Sequence, residues 1–159
     1  AFASMQVRSI ETLSCMLNNR ELYNVPTQHI QVLGERDYGE YTGKNKWEMK
    51  QILGENVFDH MRRDWDYPIP GGETLKMVYE RVVPFYLSTI VPLLQEGYNV
   101  LVASHGNALR ALMIYMESIP KEDAKNVEMM FGSVVLYQVD EEGKSVHKEV
   151  RTVESEVNA

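Results

Sequence analysis

The chain has 159 residues, 44% of them hydrophobic and 25% charged, the composition of a soluble globular protein long enough for one sizeable core. Its net charge of −7 argues against general binding to nucleic acid or an anionic membrane, so a bound anion needs a local basic cluster. A single cysteine, Cys15, excludes an internal disulfide and a cysteine-based metal site; no uninterrupted apolar run approaches the roughly 20 residues of a membrane span, and the cytosol is the expected compartment.

The first residues, AFASMQVRSIETLSCMLNN, lack an initiator methionine and read as already structured sequence. Ala1 to Ala3 read as the end of a strand. Ser4 reads as the cap of a helix on which Ile10, Leu13, Met16 and Leu17 recur at helical spacing. A domain rarely begins inside an element, so an upstream segment is expected. A short strand at His29 to Leu33 leads into a loop rich in glycine and tyrosine. KNKWEMKQIL is expected to be a short helix anchored by Trp47 and by Ile52 or Leu53, stopped at Gly54. NVFDHMRRDWDYPIPGGETL is polar, aromatic and punctuated by Pro and Gly, and reads as a long loop, which in a compact domain is usually functional. A long amphipathic helix follows, with Leu75, Val78, Val82, Phe85, Tyr86, Ile90 and Leu93 on one stripe and Pro84 and Pro92 set to kink it. Then come a strand from Val100 to Ser104, a helix from about Asn107 to Glu117, packing residues Met129, Met130 and Phe131, and a strand SVVLYQVD closed by the turn EEGK. The tail alternates at first, then turns polar and is expected to fray. Strands alternating with helices imply an α/β domain with a largely parallel sheet covered on both faces.

Four stretches carry chemistry. In VLVASHGNALRALM, His105 ends a strand, where α/β sheets bind ligands. Gly106 permits close backbone approach, and Asn107 can cap the next helix, whose free N–H groups favour an anion. The alternative is a strand–turn–helix corner with an incidental histidine. GERDYGEYTGKNKWE places Glu35 and Arg36 at a strand end, ahead of Tyr38 and Lys46; MRRDWDY sets Arg62 beside Arg63; SMQVRSIET puts Arg8 on the first helix. Arginine forks grip phosphate or carboxylate, a carboxylic acid can protonate a leaving oxygen, and histidine can donate to phosphoryl oxygens or act as a base. Each also has a plainer reading: solvated arginines in a loop, a surface Glu35–Arg36 ion pair, a lysine decorating a helix start, tyrosines packing a loop. His29, His60 and His147 share no ligand spacing with His105 and read as surface residues, and no metal-binding pattern appears.

Together these stretches resemble the cofactor-dependent phosphoglycerate mutases of the histidine phosphatase superfamily, over Ser4 to about Asp140. The resemblance implies one phosphoglycerate-mutase-like domain over residues 1–159, a three-layer α/β/α sandwich lacking its first strand. It implies interconversion of 3- and 2-phosphoglycerate through a phosphohistidine, primed by 2,3-bisphosphoglycerate, with no metal. By the same resemblance, His105 stabilises the moving phosphoryl group, Glu35 is the acid/base and Arg8 grips the phosphoryl. Tyr38, Lys46, Arg62, Arg63, Gly106 and Asn107 hold a small substrate bearing phosphate and carboxylate. A homodimer or homotetramer is also implied. The family's nucleophilic histidine lies in an Arg-His-Gly motif, and this sequence contains none, so the chain by itself is expected to be inactive. MFGSV at Met130 to Val134 replaces a Pro-rich loop, Gly34 replaces a common Asn, and the loop after Arg63 is short. A phosphatase of the same superfamily and a non-catalytic binding protein remain as alternatives.

Overall fold

The computed structural model describes residues 1–152; the polar end of the tail, expected to fray, lies outside the described residues. Strand β1 (Phe2–Ala3) divides the core, because successive strand residues face opposite ways. Phe2 enters the larger cluster with Leu33, Val78, Val82 and Ala108, while Ala3 meets Leu13 and Ala103 in a smaller one. Helix α1 (Val7–Asn18) therefore covers one face, and α4 (Leu75–Phe85) packed against α6 (Gly106–Met116) covers the other. β1 is the middle of a three-stranded parallel sheet, between β2 (Gln28–His29) and β3 (Val102–Ala103). An antiparallel pair, β4 (Val134–Val139) and β5 (Ser145–Arg151), forms a second sheet around the expected turn. The α/β class with a parallel sheet is as the sequence implied.

Several local expectations are corrected. The strand expected at His29 to Leu33 stops at His29, and Gln31–Leu33 is a turn of 3₁₀ helix that drives Leu33 into the core. Ser4 does not cap α1. Gln6 is the N-cap residue, and its N–H donates to Ser4 Oγ at 3.2 Å. In α2 (Lys46–Leu53), Asn45 caps the start and Gly54, at φ 80°, ends it as expected. Its anchor, however, is Met49, with Leu53 one turn on; Trp47 and Ile52 are 76% and 74% exposed.

The expected loop after Gly54 opens with a helix, α3 (Glu55–Arg63), that buries only Phe58 and Met61, three residues apart. So narrow an apolar stripe leaves the segment looking polar along the sequence. The proline-bearing helix runs from α4 through a wide turn at Tyr86–Ile90 into α5 (Val91–Gln95). Pro92 has no N–H and its ring would strike the Ser88 carbonyl; the wider turn, with Val91 N–H donating to Tyr86, absorbs both problems. Pro84 leaves α4 continuous. The 21-residue run Leu75–Gln95 is long and apolar enough to pass for a membrane span, contrary to the reading of the sequence, yet its Val78, Val82, Tyr86 and Ile90 stripe lies in the core. Met130 and Phe131, expected to pack, are exposed.

Candidate active site

His105 is the residue that caps α6 at the sheet's carboxyl end, and it is buried. Arg8, on the first turn of α1, donates from Nε to His105 Nδ1 at 3.1 Å. A guanidinium only donates, so Nδ1 carries the lone pair and the neutral ring's proton sits on Nε2. Nε2–H then donates to Ser4 Oγ, 2.7 Å away. Burial first, and the Arg8 charge second, push the His105 pKa below 6.5, with Glu35 opposing. The imidazole is therefore neutral at neutral pH, and both its nitrogens are already engaged. Ser9 fixes this corner, since its Oγ donates to the Ala103 carbonyl at 2.6 Å and accepts the Ser4 N–H at 3.0 Å.

Glu35 sits across from it. Its Oε1 accepts three N–H groups: Arg36 N at 2.8 Å, Asn107 N at 3.2 Å and Asn107 Nδ2 at 3.2 Å. Asn107 is thus inside the first turn of α6 rather than its cap, and its Nδ2 also donates to the Tyr38 hydroxyl at 3.2 Å. The Cβ that Gly106 lacks would lie 4.0 Å from Glu35 Oε2.

The surface ion pair that was the plainer reading of Glu35 and Arg36 does not form. Arg36 is 2% exposed, and its Nε donates to the Glu73 carbonyl at 2.6 Å. Its Nη1 and Nη2 are buried with no hydrogen-bond partner. A buried guanidinium left this way carries a heavy desolvation cost, which an anion would relieve.

Arg81 and Glu73 hold the Glu35 loop in place. Arg81 donates to Glu73 Oε1 at 2.7 Å, and also to the carbonyls of Val32, Gly34 at 3.1 Å and Glu35 at 3.3 Å. Glu73 Oε2 accepts the Asp37 N–H at 3.0 Å. Burial pushes the Glu73 carboxyl up, but the hydrogen bonds from Arg81 and Asp37 outweigh it and hold the pKa below 4.5.

One cavity of about 780 Å³ gathers Arg8, Glu35, Tyr38, Lys46, Arg62, Arg63, Gly106 and Asn107, all expected site residues; His105 is not part of its lining. Arg62 and Arg63 enter from the last turn of α3, not from a loop. Arg36, Lys44 and Arg110 join the lining, so seven cations face three carboxylates, Glu35, Asp37 and Glu128. That local excess opposes the chain's net −7 and suits an anion. Glu128 pairs with Arg63. Lys46, at the first turn of α2, is exposed. His29 and His147 are exposed as expected, and so is His60, which pairs with Asp64 at 2.7 Å. Among the described residues no cluster of three or more His, Cys, Asp or Glu side chains could hold a metal.

Ser4, Arg81 and Arg110 were not singled out from sequence as site residues, and Arg36, though noted beside Glu35, was given no role there. The signal was present for two of them: Arg110 is the one cation in α6, and Arg81 sits among apolar residues of α4, a pattern that often marks a satisfied buried charge.

A family model for the histidine phosphatase superfamily, branch 1, matches residues 1–152. The chain belongs to this superfamily. Among curated members, the 2,3-bisphosphoglycerate-dependent phosphoglycerate mutase of Rhodopseudomonas palustris is 39% identical over 140 residues, covering 88% of this chain and 68% of the relative. The enzyme of the same name from Cytophaga hutchinsonii is 40% identical over 138 residues, covering 87% of this chain and 64% of the relative. The solved structure of Bacillus stearothermophilus YhfR superposes with a TM-score of 0.71 at 25% identity, over 90% of this chain and 72% of that one. A mycobacterial glucosyl-3-phosphoglycerate phosphatase with bound phosphate superposes at 0.72 and 16% identity, over 95% and 74%, a likeness of fold.

Proposed function

We propose that this histidine phosphatase domain serves a phosphoglycerate mutase, which interconverts 3- and 2-phosphoglycerate through a phosphohistidine primed by 2,3-bisphosphoglycerate. The observation that carries the reading is the cationic cavity on which eight of the expected residues converge. Mutases of that name at 39% and 40% identity support it.

Arg62, Arg63 and Lys46 would grip the substrate's phosphate and carboxylate, two anionic groups on one small molecule, and Arg8 would hold the phosphoryl group in transfer. Glu35 would exchange a proton with the substrate hydroxyl through Oε2, since Oε1 is occupied. His105 would turn its Nε2–H from Ser4 to a phosphoryl oxygen. Bound 2,3-bisphosphoglycerate would supply the priming phosphoryl group. Arg36, with its unpartnered Nη atoms, and the Arg62–Arg63 pair are the groups suited to hold its charge. The nucleophile is assigned to no residue here: the sequence has no Arg-His-Gly, and both His105 nitrogens already serve Arg8 and Ser4. Assembly as a homodimer or homotetramer belongs to the same proposal and is read by sedimentation.

The test is phosphorus NMR of 3-phosphoglycerate with a trace of 2,3-bisphosphoglycerate, using this chain and the complete reading frame that encodes it. The chain alone is expected to be inactive and the complete frame to form 2-phosphoglycerate. Release of free phosphate alone by the complete frame points to a phosphatase. No turnover by a well-folded complete protein overturns both readings and leaves a binding protein.

A further inference from the structure

Arg110 is buried in α6, one turn beyond Asn107; it lines the cavity but was given no contact with the substrate above. Its Nη2 donates to the Arg63 carbonyl at 2.9 Å and to the Ala124 carbonyl at 2.7 Å. Its Nη1 reaches the Arg62 carbonyl at 3.3 Å and Asn107 Oδ1 at 3.4 Å. The Arg62 and Arg63 carbonyls belong to the last turn of α3, where a helix has no internal donors left and carries its negative dipole end. Asn107 in turn holds Glu35 Oε1 and the Tyr38 hydroxyl. One side chain thus bridges the backbone under the arginine pair to the amide that fixes Glu35.

We propose that Arg110 is a positioning residue: it sets the Arg62–Arg63 pair and Glu35 at a fixed separation by capping α3 from α6. The inference rests on the reading of the cavity as an anion site, and it holds whichever phosphorylated ligand the cavity takes. Lysine would keep the charge but not the fork. A guanidinium presents its donors in one plane toward four acceptors on three segments, which a single ammonium cannot span at once. With α3 loosened, the arginine pair loses its register on the ligand, and each charge-assisted hydrogen bond lost costs about tenfold in affinity.

The experiment uses this chain with inorganic phosphate and 3-phosphoglycerate as probes, measuring affinity by calorimetry, hydrogen exchange of the α3 amides and thermal midpoint. Arg110→Lys is expected to weaken both ligands by about tenfold or more, to speed exchange in α3, and to leave the β4–β5 amides unchanged. Arg110→Ala is expected to recover part of its affinity in millimolar methylguanidinium, below denaturing concentration. Wild-type affinity in Arg110→Lys overturns the proposal. So does a loss of affinity that follows only a general fall in stability, with uniform exchange and no rescue. If the wild-type chain binds phosphate but not 3-phosphoglycerate, and Arg110→Lys weakens phosphate, the mutase reading fails and the positioning role stands. If the wild-type chain binds neither probe, the anion site and the positioning role built on it fall together.

Discussion

The loop that carries Glu35 and Tyr38 is pressed against the loop before α4 at a glycine pair, and Gly39→Ala tests how much that contact matters. Gly39 has φ +52°, in the left-handed region that costs an alanine about 1–2 kcal/mol. A Cβ there would lie 2.1 Å from the Pro70 carbonyl oxygen and 2.6 Å from Gly71 C and Gly72 N. Ordinary carbon contacts lie near 3.5 Å, so the loops must part by about 1 Å. They are tied by Glu40 N–H to Pro70 O at 3.1 Å and Glu73 N–H to Asp37 O at 2.8 Å, each worth about 1 kcal/mol. Strain, overpacking of about 1–3 kcal/mol and the loss of one of these bonds sum to about 3–6 kcal/mol. Gly43→Ala is the control: its φ is +77° but nothing lies within 4 Å of the new Cβ, so only the strain applies. Urea unfolding followed by far-UV circular dichroism measures both. If Gly39→Ala falls within about 1 kcal/mol of Gly43→Ala, the account of two interlocked backbones is refuted.

Three further outcomes follow from the site. Glu73→Gln leaves the half-buried Arg81 without its carboxylate and is expected to cost about 2 kcal/mol at pH 7. The folded pKa of Glu73 is depressed, so that stability is present above pH 4.5 and disappears as pH falls through the folded value; the gap between wild type and variant in urea titrations should close there. The His105 imidazole should titrate below 6.5 by NMR, and Arg8→Met should raise its pKa; because the unfolded ring binds the proton more tightly, this residue's contribution to stability is lost as pH drops below 6.5. An unchanged titration in Arg8→Met would show that the Arg8–His105 contact is not formed in solution. Arg62→Gln and Arg63→Gln should each weaken 3-phosphoglycerate binding by about tenfold, the worth of one charge-assisted hydrogen bond of about 1.5 kcal/mol, with the wild-type thermal midpoint retained.

The sequence by itself determined the parts that depend on local pattern. Apolar spacing located α1 and α4, and a helix was expected where α6 lies. Gly54 marked the end of α2, and the alternating run before the turn EEGK marked β4; its pairing with β5 came from the structure. Motif order brought forward Glu35, Arg62, Arg63, His105 and Asn107 before any geometry was known. It failed where burial is narrow or set from elsewhere. α3 buries two side chains and looks like a loop, and Trp47, large and apolar, faces water because Met49 and Leu53 hold the inward side of α2.

Only the tertiary structure decided how those residues act on one another. Two site arginines paired away from their sequence neighbours: Arg36 turned from Glu35 to the Glu73 backbone, and Arg63 met Glu128. His105 acquired Ser4 and Arg8 as partners from the end of β1 and the start of α1. Arg81 and Arg110, two cations in apolar helices, became clamps on loop and helix carbonyls. The physical reason is that periodicity reports which side of an element is apolar. Hydrogen bonding of buried polar groups depends on which chain ends the fold brings within about 3 Å, and no local window of sequence contains that distance.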